Sequence, residues 1–158
     1  MIGWLRRFFK AAPSLSDARR ADAPAMAALH AACFHRGWSD GEFESLLSER
    51  AVIAHRAILR GKLVGFILSR LAGDEAEILS VAVAARQRGC GLGRDMLAMH
   101  MRRLAGAGCR TLFLEVDETN APARRLYKSA GFREVGRRDS YYKTASGATA
   151  ALVLRRDI

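Results

Sequence analysis

The sequence predicts an α/β (α+β) chain built on a mostly antiparallel sheet of about seven strands, in the order β-αα-ββ-β-α-β-α-β-β. Three observations carry that expectation. Two apolar runs meet at Arg60-Gly61-Lys62, as the strands of a hairpin do. The run Ile78-Leu79-Ser80-Val81-Ala82-Val83 reads as a strand buried on both faces, and it feeds a glycine-rich turn. Beyond that turn, Met96, Leu97, His100, Met101 and Leu104 recur at helical spacing until Gly106 and Gly108 stop them.

The elements follow in order. Residues 14–19 form a short first strand after Pro13. Asp22 offers an N-cap to a helix carrying Met26, Leu29 and Cys33, and Ser39 with Glu42 makes a capping box for a second helix through Phe43, Leu46 and Leu47. Residues 51–59 and 63–69 are the hairpin strands, and Gly73-Asp74 turns the chain into the strand at 76–84. After the helix come a strand at 111–116, a short helix at 121–130 with Gly131 just past its end, and strands at 132–142 and 148–155. With 158 residues and no linker or repeat, residues 14–158 read as a single domain preceded by an extension at 1–13.

The charge narrows the partners. Twenty-six Lys and Arg stand against 16 Asp and Glu, a net charge of +10 that favours an anionic ligand or partner. The arginines are dispersed and no aromatic residues interleave with them as a stacking platform, so no specific nucleic-acid binding is expected. Cys33, Cys90 and Cys109 are odd in number and widely spaced, which fits reduced thiols and a cytoplasmic location. His30, His35, His55 and His100 show no metal-ligand spacing, so no metal is expected. In the extension, Trp4, Leu5, Phe8 and Phe9 share a helical face, with Arg6, Arg7 and Lys10 elsewhere. That segment is too short to span a bilayer. A weak membrane-surface or partner contact through residues 4–9 and an extension folded back on the domain both stay open.

The strongest local pattern is the turn Arg88, Gly89, Cys90, Gly91, Leu92, Gly93 and Arg94 between a strand and a helix. Glycines let such a turn present successive backbone N–H groups to phosphate, and the helix N-terminus adds its positive dipole. A P-loop would need Gly-Lys-Ser/Thr, which is missing, and a dinucleotide fingerprint would follow a first parallel strand rather than an antiparallel meander. Cys90 lies in the turn, but no base accompanies it, so it is not read as a nucleophile.

With Arg88-x-x-Gly91-x-Gly93, the stretch Asn120-Ala121-Pro122-Ala123-Arg124-Arg125-Leu126-Tyr127-Lys128-Ser129-Ala130-Gly131-Phe132 and this element order, residues 15–154 resemble the GNAT superfamily of acetyltransferases. Leu112-Phe113-Leu114-Glu115-Val116, Gly37-Trp38-Ser39 and Arg137-Arg138-Asp139-Ser140-Tyr141-Tyr142 are similar to the RimI-like branch, which acetylates ribosomal-protein N-termini. Two departures stand out. Ala85 replaces a frequent proline, and Thr149-Ala150 replaces a frequent acidic residue, which leaves acceptor preference more open.

The resemblance implies the GNAT fold, a mixed and mostly antiparallel central sheet with helices on both faces. It also implies acetyl-CoA as co-substrate, with Val81, Ala82 and Val83 along the pantetheine arm and Arg88 to Arg94 at the pyrophosphate. Asn120 would bond the arm further along, and a backbone N–H near Val81 would stabilise the oxyanion. Glu115 ends a strand where a carboxylate can take the amine proton, and it shares a face with Phe113 while Leu112, Leu114 and Val116 share the other. Tyr127 can donate a proton to the departing thiolate. Trp38, Tyr141 and Tyr142 lie in segments flanking the acceptor groove. The expected reaction is acetyl transfer to the N-terminal α-amine of a protein, a ribosomal protein first among the candidates, by a monomer or homodimer. A lysine or small-molecule acceptor is the second reading and a non-catalytic acyl-CoA-binding module the third.

Overall fold

The computed structural model describes residues 11–144 and 147–158; the expected amphipathic segment at 1–10 lies outside the described residues. Seven strands form one sheet in the order β1-β2-β3-β4-β5-β7-β6: β1 (Ser14–Asp17), β2 (Val52–Leu59), β3 (Lys62–Ala72), β4 (Glu75–Val83), β5 (Thr111–Asp117), β6 (Arg133–Thr144) and β7 (Gly147–Asp157). Among the described residues only β4 and β5 pair in parallel. Helices α1 (Ala23–Cys33) and α2 (Asp40–Ser48) lie on one face, α3 (Leu92–Gly106) and α4 (Ala121–Ser129) on the other.

Sequence patterning accounts for most of this. Lys62 pairs with Leu59, so the first hairpin closes on Arg60-Gly61 alone. Ser39 Oγ accepts from Glu42 N–H at 3.1 Å while Glu42 returns a carboxylate oxygen to Ser39 N–H at 2.6 Å, the reciprocal cap expected for α2. Asp22 does not cap α1 as expected. It sits in a 3₁₀ turn, Arg20–Asp22, with helical backbone angles. One carboxylate oxygen accepts from Arg19 N–H at 2.6 Å and the other from Arg56 of β2 at 2.6 Å. A partner 34 residues downstream has claimed the side chain that local sequence assigned to the helix.

The sheet separates two apolar cores. Met26, Phe43, Phe66, Leu68 and Ala82 fill the α1/α2 side; Ile67, Met96, Leu97, Leu104, Leu112 and Leu114 fill the α3/α4 side. No residue of β5, β6 or β7 belongs to the α1/α2 core. Among the described residues no helix covers that half of the face.

Both faces of β4 are packed as expected, but a bulge divides the strand. Its register with β3 passes from Ser69↔Ile78 to Leu68↔Ser80, leaving Leu79 extra. Ile78 consequently faces the α3/α4 core, whereas Ala82 faces the α1/α2 core. Parallel pairing with β5 runs only from Glu75↔Thr111 to Ile78↔Leu114 and ends where the bulge begins. Beyond it the backbone edge of Val81 to Val83 has no strand beside it among the described residues.

A polar chain crosses the α3/α4 core. His55 Nδ1 and His100 Nδ1 lie 2.7 Å apart, His100 Nε2 lies 2.7 Å from Ser69 Oγ, and His55 Nε2 lies 3.4 Å from Asp17 at the sheet edge. Both rings are almost fully buried. Desolvation pushes the His100 imidazole down to about 3, with His55 adding to the effect.

Candidate functional site

The free end of β4 leads through a 3₁₀ turn, Ala85–Gln87, into the glycine turn and then α3. Gly89 and Gly91 take φ of 74° and 88°, left-handed values that side chains disfavour, and Gly91 stands directly before the first turn of α3. Backbone N–H groups at the start of a helix have no intrahelical partner, so this turn gathers donors with the positive end of the helix dipole. A groove of about 880 Å³ opens over it. Val81, Ala82, Val83, the stretch from Arg88 to Arg94, Asn120 and Tyr127 line the groove together, the expected donor-side set brought to one place.

The groove is cationic. Arg88, Arg94 and Arg125 line it, and no Asp or Glu does. Arg88 Nε donates to Val83 C=O at 3.1 Å, and its Nη2 lies 3.3 Å from Cys33 Sγ. Arg94 curls back over the turn, so that a Cβ at Gly91 would lie 3.3 Å from its Nη2. Asn120 spends its side-chain oxygen capping α4 through Ala123 N–H at 3.2 Å, which leaves its NH₂ to donate elsewhere. Tyr127 is buried, its ring edge-on to Phe132 at 5.7 Å. Burial, with a smaller contribution from Tyr142, pushes its phenol up to about 12, so it stays protonated at neutral pH.

Glu115 is not part of that groove lining. It alternates with Leu114 and Val116 on β5 and therefore projects from the opposite face, on the half that no helix covers among the described residues. Its carboxylate meets Arg138 Nη1 at 3.2 Å, reaching across β7. Arg138 stands just before a bulge in β6. The register jumps from Arg138↔Ala151 to Tyr142↔Thr149, four residues against two, and Ser140 takes φ of 54°. The bulge presents Tyr141 to solvent under the Arg138 guanidinium, 5.4 Å from ring centroid to carbon, with the Tyr142 ring edge-on at 5.1 Å. Burial pushes the Tyr142 phenol up to about 12, reinforced by Glu115, Tyr141 and Asp117.

At Thr149 and Ala150, carboxylates arrive from the end of β5. Asp117 accepts from Thr149 Oγ1 at 2.9 Å, and Glu118 accepts from Ala150 N–H at 3.2 Å while pairing with Arg137 at 2.7 Å. Burial pushes the Asp117 carboxyl up, but hydrogen bonds from Thr119 and Thr149 outweigh it and hold the group below the usual range. Trp38 stacks on His30 at 4.7 Å and packs against the α1/α2 core, away from the groove.

Sequence reasoning passed over Cys33, Phe34 and Arg125, which line the groove. Phe34 is 39% exposed there. Arg125 was findable, since Pro122, Arg125, Leu126 and Ser129 fall at helical spacing on one face of α4. Cys33 and Phe34 reach the groove from the far end of α1, and no local pattern announces them. Among the described residues no group of three or more His, Cys, Asp or Glu is placed to hold a metal ion, and no helix is long and apolar enough to cross a membrane.

The Acetyltransferase (GNAT) family model matches residues 23–132. The [ribosomal protein bS18]-alanine N-acetyltransferase of Escherichia coli K12 is 32% identical over 141 residues, covering 89% of this chain and 95% of that protein. Its counterpart in Haemophilus influenzae is 36% identical over 110 residues, covering 70% and 74%. A crystal structure of the E. coli ribosomal-protein-S18-alanine N-acetyltransferase aligns with a TM-score of 0.87 at 30% identity, over 92% of this chain and 94% of that one. A family model spanning most of the sequence, and relatives above 30% identity along most of its length, establish that this chain belongs to the GNAT family of acetyltransferases, in its RimI-like branch.

Proposed function

We propose that this chain acetylates the N-terminal α-amine of a protein, with a ribosomal protein as the acceptor and acetyl-CoA as the donor. The observation that carries the reading is the break between β4 and β5, with a cationic groove and Tyr127 on one side of the sheet and Glu115 on the other. A donor bound on the helical side and an acceptor bound on the open side could meet there.

The groove fits the donor. Three arginines without a lining carboxylate suit a ligand with several phosphate charges, and the left-handed glycines allow close backbone approach. Donors from Arg88 to Arg94 would hold the pyrophosphate, while the strand-free edge of Val81 to Val83, where Arg88 already occupies the Val83 carbonyl, and the Asn120 amide would hold the pantetheine arm. Bound acetyl-CoA supplies a thioester carbonyl as electrophile. Glu115 removes a proton from the attacking amine, directly or through water, as the new N–C bond forms. The N–H near Val81 offsets the negative charge that develops on the carbonyl oxygen. The Tyr127 hydroxyl delivers a proton to the sulfur as the C–S bond breaks.

The α-amine is favoured as nucleophile because its pKa near 8 leaves roughly a tenth neutral at pH 7, against well under a hundredth for lysine near 10.4. Tyr141, exposed under the Arg138 guanidinium that pairs with Glu115, would contact the first residues of an acceptor, with the Tyr142 ring packed edge-on against it. Trp38 would act indirectly, by fixing the loop that carries Phe34. Cys33, Cys90 and Cys109 are all free, which supports a reducing, cytoplasmic setting.

The test compares CoA release with peptides beginning in Ala, Ser or Met and with N-terminally blocked peptides carrying a free lysine. Release with the free N-termini is expected. Release with the lysine peptides alone would overturn the reading. In the same assay Glu115→Gln is expected to lower turnover by about a hundredfold.

A further inference from the structure

Acetyl transfer needs a neutral amine at Glu115, yet an α-amine in water near pH 7 is mostly ammonium. A carboxylate alone aggravates this, since an anion beside an amine favours its charged form. Glu115 is not alone. The Arg138 guanidinium sits 3.2 Å from one of its oxygens, and its position is fixed from three directions: the last register pair before the β6 bulge, the Tyr141 ring beneath it, and Glu115 itself. The small side chain of Ala151, directly between Asp117 and Arg138 on β7, leaves the way across that strand open.

We propose that Arg138 is a positioning residue that keeps the bound acceptor amine neutral at Glu115 and so sets the lower pH limit of acetyl transfer. A fixed cation shares the carboxylate with the incoming amine, which lowers the pull of Glu115 on the ammonium form and repels that form directly. Several charged groups near the pair have partners of their own. Asp117 is hydrogen-bonded by Thr119 and Thr149, Glu118 is paired with Arg137 and bonded by Ala150 N–H, and Asp139 is paired with Arg137. Tyr142 is a phenol whose pKa is raised by burial, so it stays protonated across the working range. From β7, Ala151 and Val153 bring no charge, while Arg155, next in that row, is paired with Asp157 and lies over the Phe113 ring; from β4, Glu77, opposite Phe113, adds a carboxylate to the same face. Arg138 is thus the cation in direct contact with the group that receives the proton.

The inference rests on Glu115 as the base, and the experiment separates the two. The pH dependence of kcat, which reports groups in the bound complex, is measured for the intact chain with saturating acetyl-CoA and peptide for wild type, Arg138→Gln, Arg138→Lys and Glu115→Gln. Arg138 is 58% exposed, so solvent damps its influence, and the acid limb in Arg138→Gln is expected to move up by about half to one pH unit. The high-pH plateau should stay within about threefold of wild type, and Arg138→Lys should return the limb most of the way. A purely structural role would instead lower kcat evenly at every pH; that result, or an unmoved limb, overturns the inference. If Glu115→Gln turns over like wild type, the base assignment fails and this inference with it. If Glu115→Gln is impaired while Arg138→Gln keeps the wild-type limb, only the inference fails.

Discussion

The two ends of the candidate site are built by opposite means. The donor end is a stretch of consecutive backbone, Arg88 to Arg94, whose two left-handed glycines and helix start gather N–H groups, with arginines around it and no lining carboxylate. The acceptor end is assembled from side chains on different strands, where Glu115 meets Arg138, Glu118 meets Arg137 and Asp117 meets Thr149. One end is a local shape that attracts net negative charge. The other is a set of nearly balanced pairs that depends on strand register. Their tolerance to change should differ accordingly.

The largest expected effect is at the donor backbone. Gly91→Val places a β-branched side chain at φ of 88° and against Arg94, and it should weaken acetyl-CoA binding by about a hundredfold or more in calorimetry. An unchanged far-UV spectrum would confirm that the damage is local. Binding within threefold of wild type would break the claim that backbone shape makes this end. Next comes Tyr127→Phe, expected to cut kcat by about a hundredfold while acetyl-CoA affinity moves little, because the ring still packs on Phe132 and only the hydroxyl is lost. The smallest effect sharpens the contrast most. Raising NaCl from about 50 to about 500 mM should weaken acetyl-CoA binding several-fold, whereas the KM for an uncharged-side-chain peptide should shift by less than about twofold, since the acceptor pairs offset one another. Equal salt sensitivity at both ends would undo the distinction.

The same contrast explains what could be read from the chain alone. The capping box at Ser39, the hairpin at Gly61, the spacing from Met96 to Leu104 and the glycine turn are all short-range, and each appears where the pattern puts it. Asp22 did not cap its helix because Arg56, on another element, holds its carboxylate. The Leu79 bulge that parts β4 from β5 is a mismatch between two strands, visible only once their register is set. The Glu115–Arg138 pair needs β7 between β5 and β6, an order in which the last strand inserts before its predecessor. Trp38 illustrates the limit for aromatics: its position beside a helix start was legible, but its direction was decided by the His30 ring it stacks on.

The chain of side chains through the core also determines how this protein meets acid. With both rings neutral, one assignment leaves no acceptor facing an acceptor: Ser69 donates to His100 Nε2, His100 Nδ1–H donates to His55 Nδ1, and His55 Nε2–H points toward Asp17. Every donor in that line aims outward to the sheet edge, and its last acceptor is a carboxylate in water. The folded chain therefore refuses at His100 a proton that the unfolded chain accepts near pH 6.5, so stability is complete above that value and drains away as pH falls toward about 3. Each pH unit in that window removes on the order of 1 kcal/mol for the excluded proton. Because His100 lies on the helix whose first turn closes the glycine loop, acidification would loosen the donor cradle from beneath.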